Sequence, residues 1–101
     1  MRLSLRFSPR ANREIRAASR WWDENRPAAP EAFREAITKA FDVIASRPES
    51  GALATNVQLP RVRRLHIHRV HYYLYYRIKA NRTFVEILSL WHTSRDTDLK
   101  L

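Results

Sequence analysis

The chain has 101 residues, of which 45% are apolar and 11% aromatic. This composition fits one globular domain over residues 1–101 and excludes a disordered chain. The absence of cysteine excludes disulfides, thiol catalysis and cysteine-ligated zinc. The formal net charge of +9 predicts an acidic or polyanionic macromolecular partner, and no motif indicates a small-molecule substrate.

The positive charge is concentrated in two stretches. Residues 51–82 contain seven basic residues and no acid, and residues 1–20 contain six arginines and one acid. Arginine predominates, and its planar guanidinium binds phosphate or carboxylate through two parallel hydrogen bonds. No apolar run approaches the roughly 20 residues of a membrane span. We therefore expect a cytoplasmic protein with no membrane contact.

The first half of the chain predicts one strand and two helices. Leu3–Phe7 alternates apolar and polar side chains, which is typical of a short strand. Ser8 is a suitable N-cap and Pro9 a suitable first residue for a helix ending near Asn25. Pro30–Arg47 has apolar residues at helical spacing, so it predicts a second helix.

The second half predicts β-structure. Pro48–Asn56 is predicted to be a turn and loop, and residues 92–101 a short tail. Lys79–Arg82 is predicted to be a hairpin turn, in which Asn81 tolerates a positive φ. Three runs rich in aromatic and β-branched residues predict strands: Val62–His68, Val70–Ile78 and Phe84–Trp91.

The element order β-α-α-β-β-β predicts an α+β fold. We expect the helical hairpin to pack on one face of a twisted antiparallel sheet. The other face is then exposed or covered by a partner, so its side chains are functional candidates.

Four arginines lie close together in the sequence around the first strand of the second half: Arg61, Arg63, Arg64 and Arg69. We expect them to form one continuous cationic surface that binds a target macromolecule, either nucleic acid or an acidic protein segment. The alternative is a solvated edge strand that its charge protects against aggregation. If the arginines are scattered or internally paired, this interpretation loses its physical support.

Aromatic residues are divided between the two predicted faces. Tyr72 and Tyr76 are expected to face the helices, whereas Tyr73 and Tyr75 point outward together with Arg77. Those three outward residues are candidates for partner contact, and for the tyrosines ordinary cross-strand packing is the alternative. Trp22 continues the apolar stripe of the first helix. Trp21 falls at its flank, where it either anchors a partner or caps the helical hairpin.

Three histidines, His66, His68 and His71, occur within six residues. Alternation places His71 on the opposite strand face from the other two, and neither cysteine nor carboxylate lies nearby. We therefore predict no metal and no cofactor. The residues either form an exposed strand face or contact nucleic acid.

Six segments follow one another in an order and spacing that are specific together: Phe7-Ser8-Pro9-Arg10-Ala11, Ala32-Phe33, Arg47-Pro48-Glu49-Ser50-Gly51, Arg61-Val62-Arg63-Arg64-Leu65, Tyr72-Tyr73-Leu74-Tyr75-Tyr76-Arg77, and Val85 to Asp96. In these segments the chain resembles the RelE/ParE toxins of bacterial type II toxin–antitoxin systems. The resemblance covers nearly the whole chain, and its ending His92-Thr93-Ser94-Arg95-Asp96 is more similar to the ParE branch.

The resemblance implies a toxin that a cognate antitoxin holds inactive. In the ParE branch the target is DNA gyrase, and inhibition is by binding rather than by catalysis. Antitoxin segments add a helix and a strand, so an acidic antitoxin segment is expected at Trp21, Tyr73, Tyr75 and Arg77. The target-binding candidates are the four clustered arginines together with His92 and Arg95.

The RelE branch implies the alternative function, a ribosome-dependent, metal-independent mRNA endonuclease. His92 would then be the acid or base, Glu86 the remaining candidate base, and three arginines would hold the phosphate: Arg64, Arg77 and Arg95. The chain has no tyrosine after Trp91, which departs from the pattern of that branch. A structural alternative is that His92 closes the last strand and Arg95 pairs with Asp96 or Asp98.

Overall fold

The computed structural model describes residues 2–79, 81–95 and 99–101. Two helices pack on a five-stranded sheet, which confirms the predicted α+β fold. The elements in chain order are β1 (Ser4–Phe7), α1 (Pro9–Asn25), α2 (Glu31–Ser46), β2 (Ala52–Leu53), β3 (Arg63–Ile67), β4 (Tyr72–Lys79) and β5 (Phe84–His92).

The sheet is mixed, with the strand order β1-β5-β4-β3-β2. β1 runs parallel to β5, and the other neighbouring strands are antiparallel. The predicted sheet was antiparallel throughout and had four strands, so the parallel β1–β5 pair and the added strand β2 are its two differences in topology. A parallel pair requires a long connection, and here the whole chain between β1 and β5 supplies it. Patterns within single strands do not contain that information.

Ser8 joins the start of α1 to the edge of β5. Its side-chain oxygen accepts a hydrogen bond from the N–H of Ala11 at 3.0 Å, as an N-cap does. The same hydroxyl donates to the carbonyl of Leu88 at 3.1 Å, and the Ser8 N–H donates to the carbonyl of Ile87 at 3.0 Å. The predicted N-cap is confirmed, and so are Pro9 as the first helical residue and Asn25 as the last.

Glu14 continues along that strand edge beyond the end of β1. Its Oε1 accepts hydrogen bonds from the hydroxyl of Ser89 at 2.7 Å and the N–H of Leu90 at 3.1 Å. Its Oε2 lies 3.3 Å from Arg10 Nε. A helix side chain therefore satisfies the edge of β5 at the residues that β1 is too short to reach.

The helices cover one face of the sheet, and the main core lies between the helices and that face. Tyr72 and Tyr76 face this core, as predicted, and the ring of Tyr72 contacts Phe33 of α2 at a centroid distance of 5.9 Å. The fully buried Tyr76 hydroxyl accepts the N–H of Gly51 at 2.8 Å. This bond ties the segment that follows α2 to the middle of the sheet.

The opposite face is partly covered by the chain itself, which corrects the prediction of an open face. Val62, Tyr75, Leu88 and Leu99 form a second buried cluster there. The Leu99 N–H donates to the carbonyl of Asn56 at 2.9 Å, and Asn56 Nδ2 donates to the Tyr75 hydroxyl at 2.9 Å. Tyr75 therefore faces away from the helices, as expected, but it is fully buried.

One predicted turn is confirmed, and one predicted loop contains an additional short strand. Asn81 and Arg82 have φ values of 53° and 68°, so the predicted hairpin turn with a left-handed Asn81 is confirmed. The predicted loop Pro48–Asn56 contains the short strand β2, whose residues pair with Arg63 and Arg64.

We expect Glu14→Ala to lower the free energy of unfolding by about 1–3 kcal/mol, because the buried Ser89 hydroxyl and the Leu90 N–H lose their acceptor. Glu14→Gln keeps an acceptor oxygen while removing the charge, so it should lose less. Urea denaturation measures both variants. The matched control is Glu24→Ala, at an exposed position of the same helix. Equal destabilisation by the two alanine variants would contradict the assigned role.

Candidate functional site

A concave cleft lies where α1 ends, β4 begins and β5 finishes. Its volume is about 470 Å³, and it adjoins a smaller depression that shares Trp21, Tyr72, His92 and Arg95. Three arginines, two histidines and three aromatic rings make it cationic and aromatic. We name it the arginine cleft, and its lining residues are Trp21, Trp22, Arg26, Arg69, Val70, His71, Tyr72, His92, Ser94 and Arg95.

His92 is held at the end of β5, opposite Tyr72 in the sheet register. The two rings meet edge to face, with centroids 5.1 Å apart. The backbone N–H of Ser94 donates to His92 Nδ1 at 3.1 Å, and the Ser94 hydroxyl lies 2.7 Å from the same nitrogen. Because Nδ1 accepts a hydrogen bond, its proton in the neutral ring is assigned to Nε2. His92 is thereby a hydrogen-bond donor through Nε2.

Tyr72 and the two tryptophans give the cleft its aromatic walls. Burial raises the pKa of the Tyr72 hydroxyl and the nearby Arg95 opposes that shift, so the hydroxyl stays protonated at neutral pH. The guanidinium carbon of Arg26 lies 5.2 Å from the ring centroid of Trp21 and 5.8 Å from that of Trp22. These distances fit cation–π contacts.

Six lining residues of the cleft were not among the predicted site residues: Trp22, Arg26, Val70, His71, Tyr72 and Ser94. Trp22 and Tyr72 were assigned to the core alone. A signal for Arg26 was present, because it follows Trp22 by four residues, which is about one helical turn. His71 has a φ of 65° in the β3–β4 turn, and no local pattern shows that this turn faces α1.

The four clustered arginines do not form one continuous surface, which corrects the prediction. Arg61 is exposed in a turn with a φ of 61°. Arg63 Nη1 donates to the carbonyl of Gly51 at 2.7 Å, whereas Arg64 lies over the ring of Tyr73 at 4.1 Å. Strand alternation is the reason, since it sends neighbouring side chains to opposite faces. Arg69 alone reaches the arginine cleft, and it also pairs with Glu35 of α2 at 3.2 Å.

A second group lies on the face away from the helices and is named the histidine cluster: Arg64, His66, His68 and Tyr73. The imidazole centroids of His66 and His68 are 3.8 Å apart, and His66 lies 4.9 Å from the Tyr73 ring. Burial lowers the pKa of His66, and the charges of His68, His71 and Arg64 lower it further. Within residues 2–79, 81–95 and 99–101, no three histidines or carboxylates are arranged to hold a metal ion.

The residues proposed for RNA cleavage lie in three separate places. His92 and Arg95 line the arginine cleft on the helix side, whereas Arg64 belongs to the histidine cluster. Arg77 pairs with Glu86 across β4 and β5 at 3.4 Å, and Arg77 is five residues from Tyr72, about 17 Å along the strand. Asp96 and Asp98, the alternative partners of Arg95, lie outside the described residues.

The residues proposed for antitoxin contact are also divided. Trp21 is 45% exposed and lines the arginine cleft, whereas Tyr73 is half-buried in the histidine cluster. Tyr75 has no exposed surface, which corrects its predicted accessibility. The reason is that Asn56 and Leu99 cover it.

A groove of about 570 Å³ separates α2 from β3 and is named the edge groove. β2 pairs only with Arg63 and Arg64, so within the described chain Leu65–Ile67 has no strand on its outer side. The floor is apolar, and the rim carries Lys39, two histidines and the ion pair between Arg69 and Glu35. The lining residues are Glu35, Ala36, Lys39, Ala40, Val43, Leu65, His66, Ile67, His68 and Arg69.

In the part of the chain that the structure describes, neither helix has the length and apolar character needed to cross a membrane.

Comparison with known proteins connects these features to one family. The family model for the ParE toxin of the type II toxin–antitoxin system parDE matches residues 5–97. No curated protein sequence matches the chain at a significant level.

Solved structures share the fold at low sequence identity. The chromosomal ParDE toxin–antitoxin system from P. aeruginosa superposes with a TM-score of 0.68 at 19% identity, covering 89% of this chain and 95% of that chain. The RelBE2 toxin–antitoxin complex from Mycobacterium tuberculosis superposes with a TM-score of 0.62 at 22% identity, covering 91% of this chain and 99% of that chain. The isolated E. coli RelE toxin superposes with a TM-score of 0.61 at 20% identity, covering 93% of this chain and 87% of that chain. Because the family model spans most of its length, the chain belongs to the ParE toxin family of type II toxin–antitoxin systems.

Proposed function

We propose that this chain is a ParE-type toxin that inhibits DNA gyrase by binding it in the cytoplasm, and that a cognate antitoxin neutralises it. The observation that carries the ParE assignment is the separation of the ribonuclease candidates. His92 and Arg95 lie in the arginine cleft, while Glu86 is paired with Arg77 on the other face. General acid–base cleavage needs acid, base and cations around one phosphate, and this arrangement does not supply them.

The arginine cleft is the proposed target-binding surface. Arg26, Arg69 and Arg95 place three guanidinium groups around one concavity, and guanidinium groups bind carboxylates or phosphates with directional hydrogen bonds. The exposed Trp21 adds an aromatic anchor of the kind that dominates binding energy at protein interfaces. The Nε2–H of His92 and the protonated hydroxyl of Tyr72 supply further hydrogen-bond donors. These groups bind and orient a partner without a chemical step.

The edge groove is the proposed site for the antitoxin. The unpaired side of Leu65–Ile67 offers backbone groups to an added strand. The apolar floor formed by Ala36, Ala40 and Val43 accepts the apolar side of a helix. Lys39 and Arg69 on the rim favour an acidic segment. Because Arg69 lines both the edge groove and the arginine cleft, an antitoxin in the groove competes directly for part of the target surface.

A second candidate function is a RelE-type mRNA endonuclease, and the histidine cluster is the observation that favours it. His66, with its lowered pKa, is available as a neutral base beside Arg64. Tyr73 offers a ring on which a base can stack. The two candidates require different surfaces, which makes them separable by mutation.

We expect His92→Ala combined with Arg95→Ala to abolish the arrest of DNA synthesis, because both side chains line the arginine cleft. Inducible expression with parallel pulse-labelling of DNA and protein synthesis measures the effect. The matched control is Arg77→Ala with Glu86→Ala, which removes one arginine and a second cross-strand residue outside the cleft and should keep full toxicity.

Full toxicity of a folded cleft variant would remove the arginine cleft from the target site. Immediate translation arrest with cut messages, lost on His66→Ala, would instead establish the endonuclease.

For the antitoxin we expect Lys39→Glu to weaken binding by about three- to ten-fold, mainly through slower association, because a rim charge acts on encounter. Surface plasmon resonance with the cognate antitoxin at two salt concentrations measures this change. Arg34→Glu, the same reversal on α2 outside the edge groove, is the control. An equal effect of both reversals would place the antitoxin elsewhere.

A further inference from the structure

Three arginines of α1 remain unneutralised on the outer surface. Arg13, Arg16 and Arg20 are exposed, and none lies within ion-pair distance of a described carboxylate. Some exposed arginines are paired: Arg34 lies 3.4 Å from Asp23, and Arg82 lies 2.9 Å from Glu49. Other exposed arginines, such as Arg26 and Arg47, also lack a described ion pair. What distinguishes the three α1 residues is that they are exposed and unpaired together on one helix.

Helical spacing places the three side chains on one line, named the arginine stripe. With about 100° per residue, Arg13 and Arg20 differ by roughly 20° and Arg16 by roughly 60° around the axis. Along the axis Arg13 and Arg20 are separated by about 10 Å. The opposite side of α1 buries Ala11 and Ala18 against the sheet. The stripe thus points away from the body of the protein.

The stripe is distinct from the arginine cleft. Trp21, which lines the cleft, lies about 80° around the helix from Arg13. Glu24 lies on the same line one turn beyond Arg20, and no ion pair joins the two side chains. No large apolar side chain is exposed between the three arginines.

We propose that the arginine stripe binds the phosphate backbone of duplex DNA, at a site separate from the target-binding cleft. A protein partner ordinarily requires a buried aromatic or aliphatic anchor at the centre of its interface, and the stripe has none. Backbone binding requires only cations that face phosphates. Each strand of duplex DNA carries one phosphate charge per about 3.4 Å of axis, so the length of the stripe spans about three phosphates of one strand. Arginine forks are well matched to phosphate oxygens.

The test replaces all three residues, as Arg13→Ala with Arg16→Ala and Arg20→Ala. Alanine keeps the helix, because its propensity is at least that of arginine. Fluorescence anisotropy with a mixed-sequence 20-base-pair DNA duplex measures the affinity of the isolated chain across a range of salt concentrations. Three lost phosphate contacts should reduce the slope of log K against log salt by about 2.7. At 0.1 M salt the affinity should fall by up to about 500-fold.

The control is Arg2→Ala with Arg34→Ala and Arg82→Ala. It removes the same net charge from exposed positions that are ion-paired, and circular dichroism checks the fold of both triple variants. The control should keep the slope within about one unit of the parent. The proposal fails if both variants lose affinity equally, since net charge would then be the cause. It also fails if the stripe variant binds DNA unchanged, or if the parent prefers a polyglutamate peptide or single-stranded RNA through the stripe.

Discussion

The arrangement of the whole molecule depends on how α1 is joined to the outer edge of β5. β1 pairs with β5 only as far as Ile87, and the buried strand beyond it would carry unsatisfied backbone groups at a cost of about 1–3 kcal/mol each. Ser8 and Glu14 supply those partners. Trp21 follows Glu14 by seven residues and therefore lies on the same side of the helix. The helix that closes the sheet edge therefore also carries the tryptophan that lines the arginine cleft together with Tyr72 and His92.

The second constraint is the short length of β2. The two residues of β2 pair with the backbone of Arg63 and Arg64. In the described chain, the rest of β3 has no neighbouring strand on that side. Sheet edges of this kind are ordinarily protected by charge or covered. Here Lys39 and Arg69 border the open segment, and their positive charges disfavour pairing of this edge with another copy of the chain. The same cations favour an acidic chain, which is how one edge discourages self-association and still accepts a proposed antitoxin.

Local signals in the sequence predicted the two helices and the longer strands, but they did not predict which distant segments contact one another. Ser8 before Pro9, the helical spacing of apolar residues and the turn at Asn81 act within a few positions, and those predictions are confirmed. The contact of Ser8 with Leu88 spans 80 residues, and the cover that Leu99 provides for Tyr75 also comes from distant chain. Arg63 and Arg64 are a different case. They are adjacent in one strand, so alternation alone places their side chains on opposite faces, and the sequence already contained the signal that separates them.

The backbone itself adds one consequence. Arg61, His71, Asn81 and Arg82 adopt left-handed conformations, with φ between 53° and 68°, although glycine is the residue that does so without steric cost. Arginine or histidine stands at three of the four positions, and the whole chain has a single glycine. Each such residue carries local strain of about 1–2 kcal/mol. Glycine there would relax the turns and remove an ionisable side chain from the surface. At these turns the chain therefore has a lower free energy of unfolding than glycine would allow, and it keeps an arginine or histidine side chain on the surface.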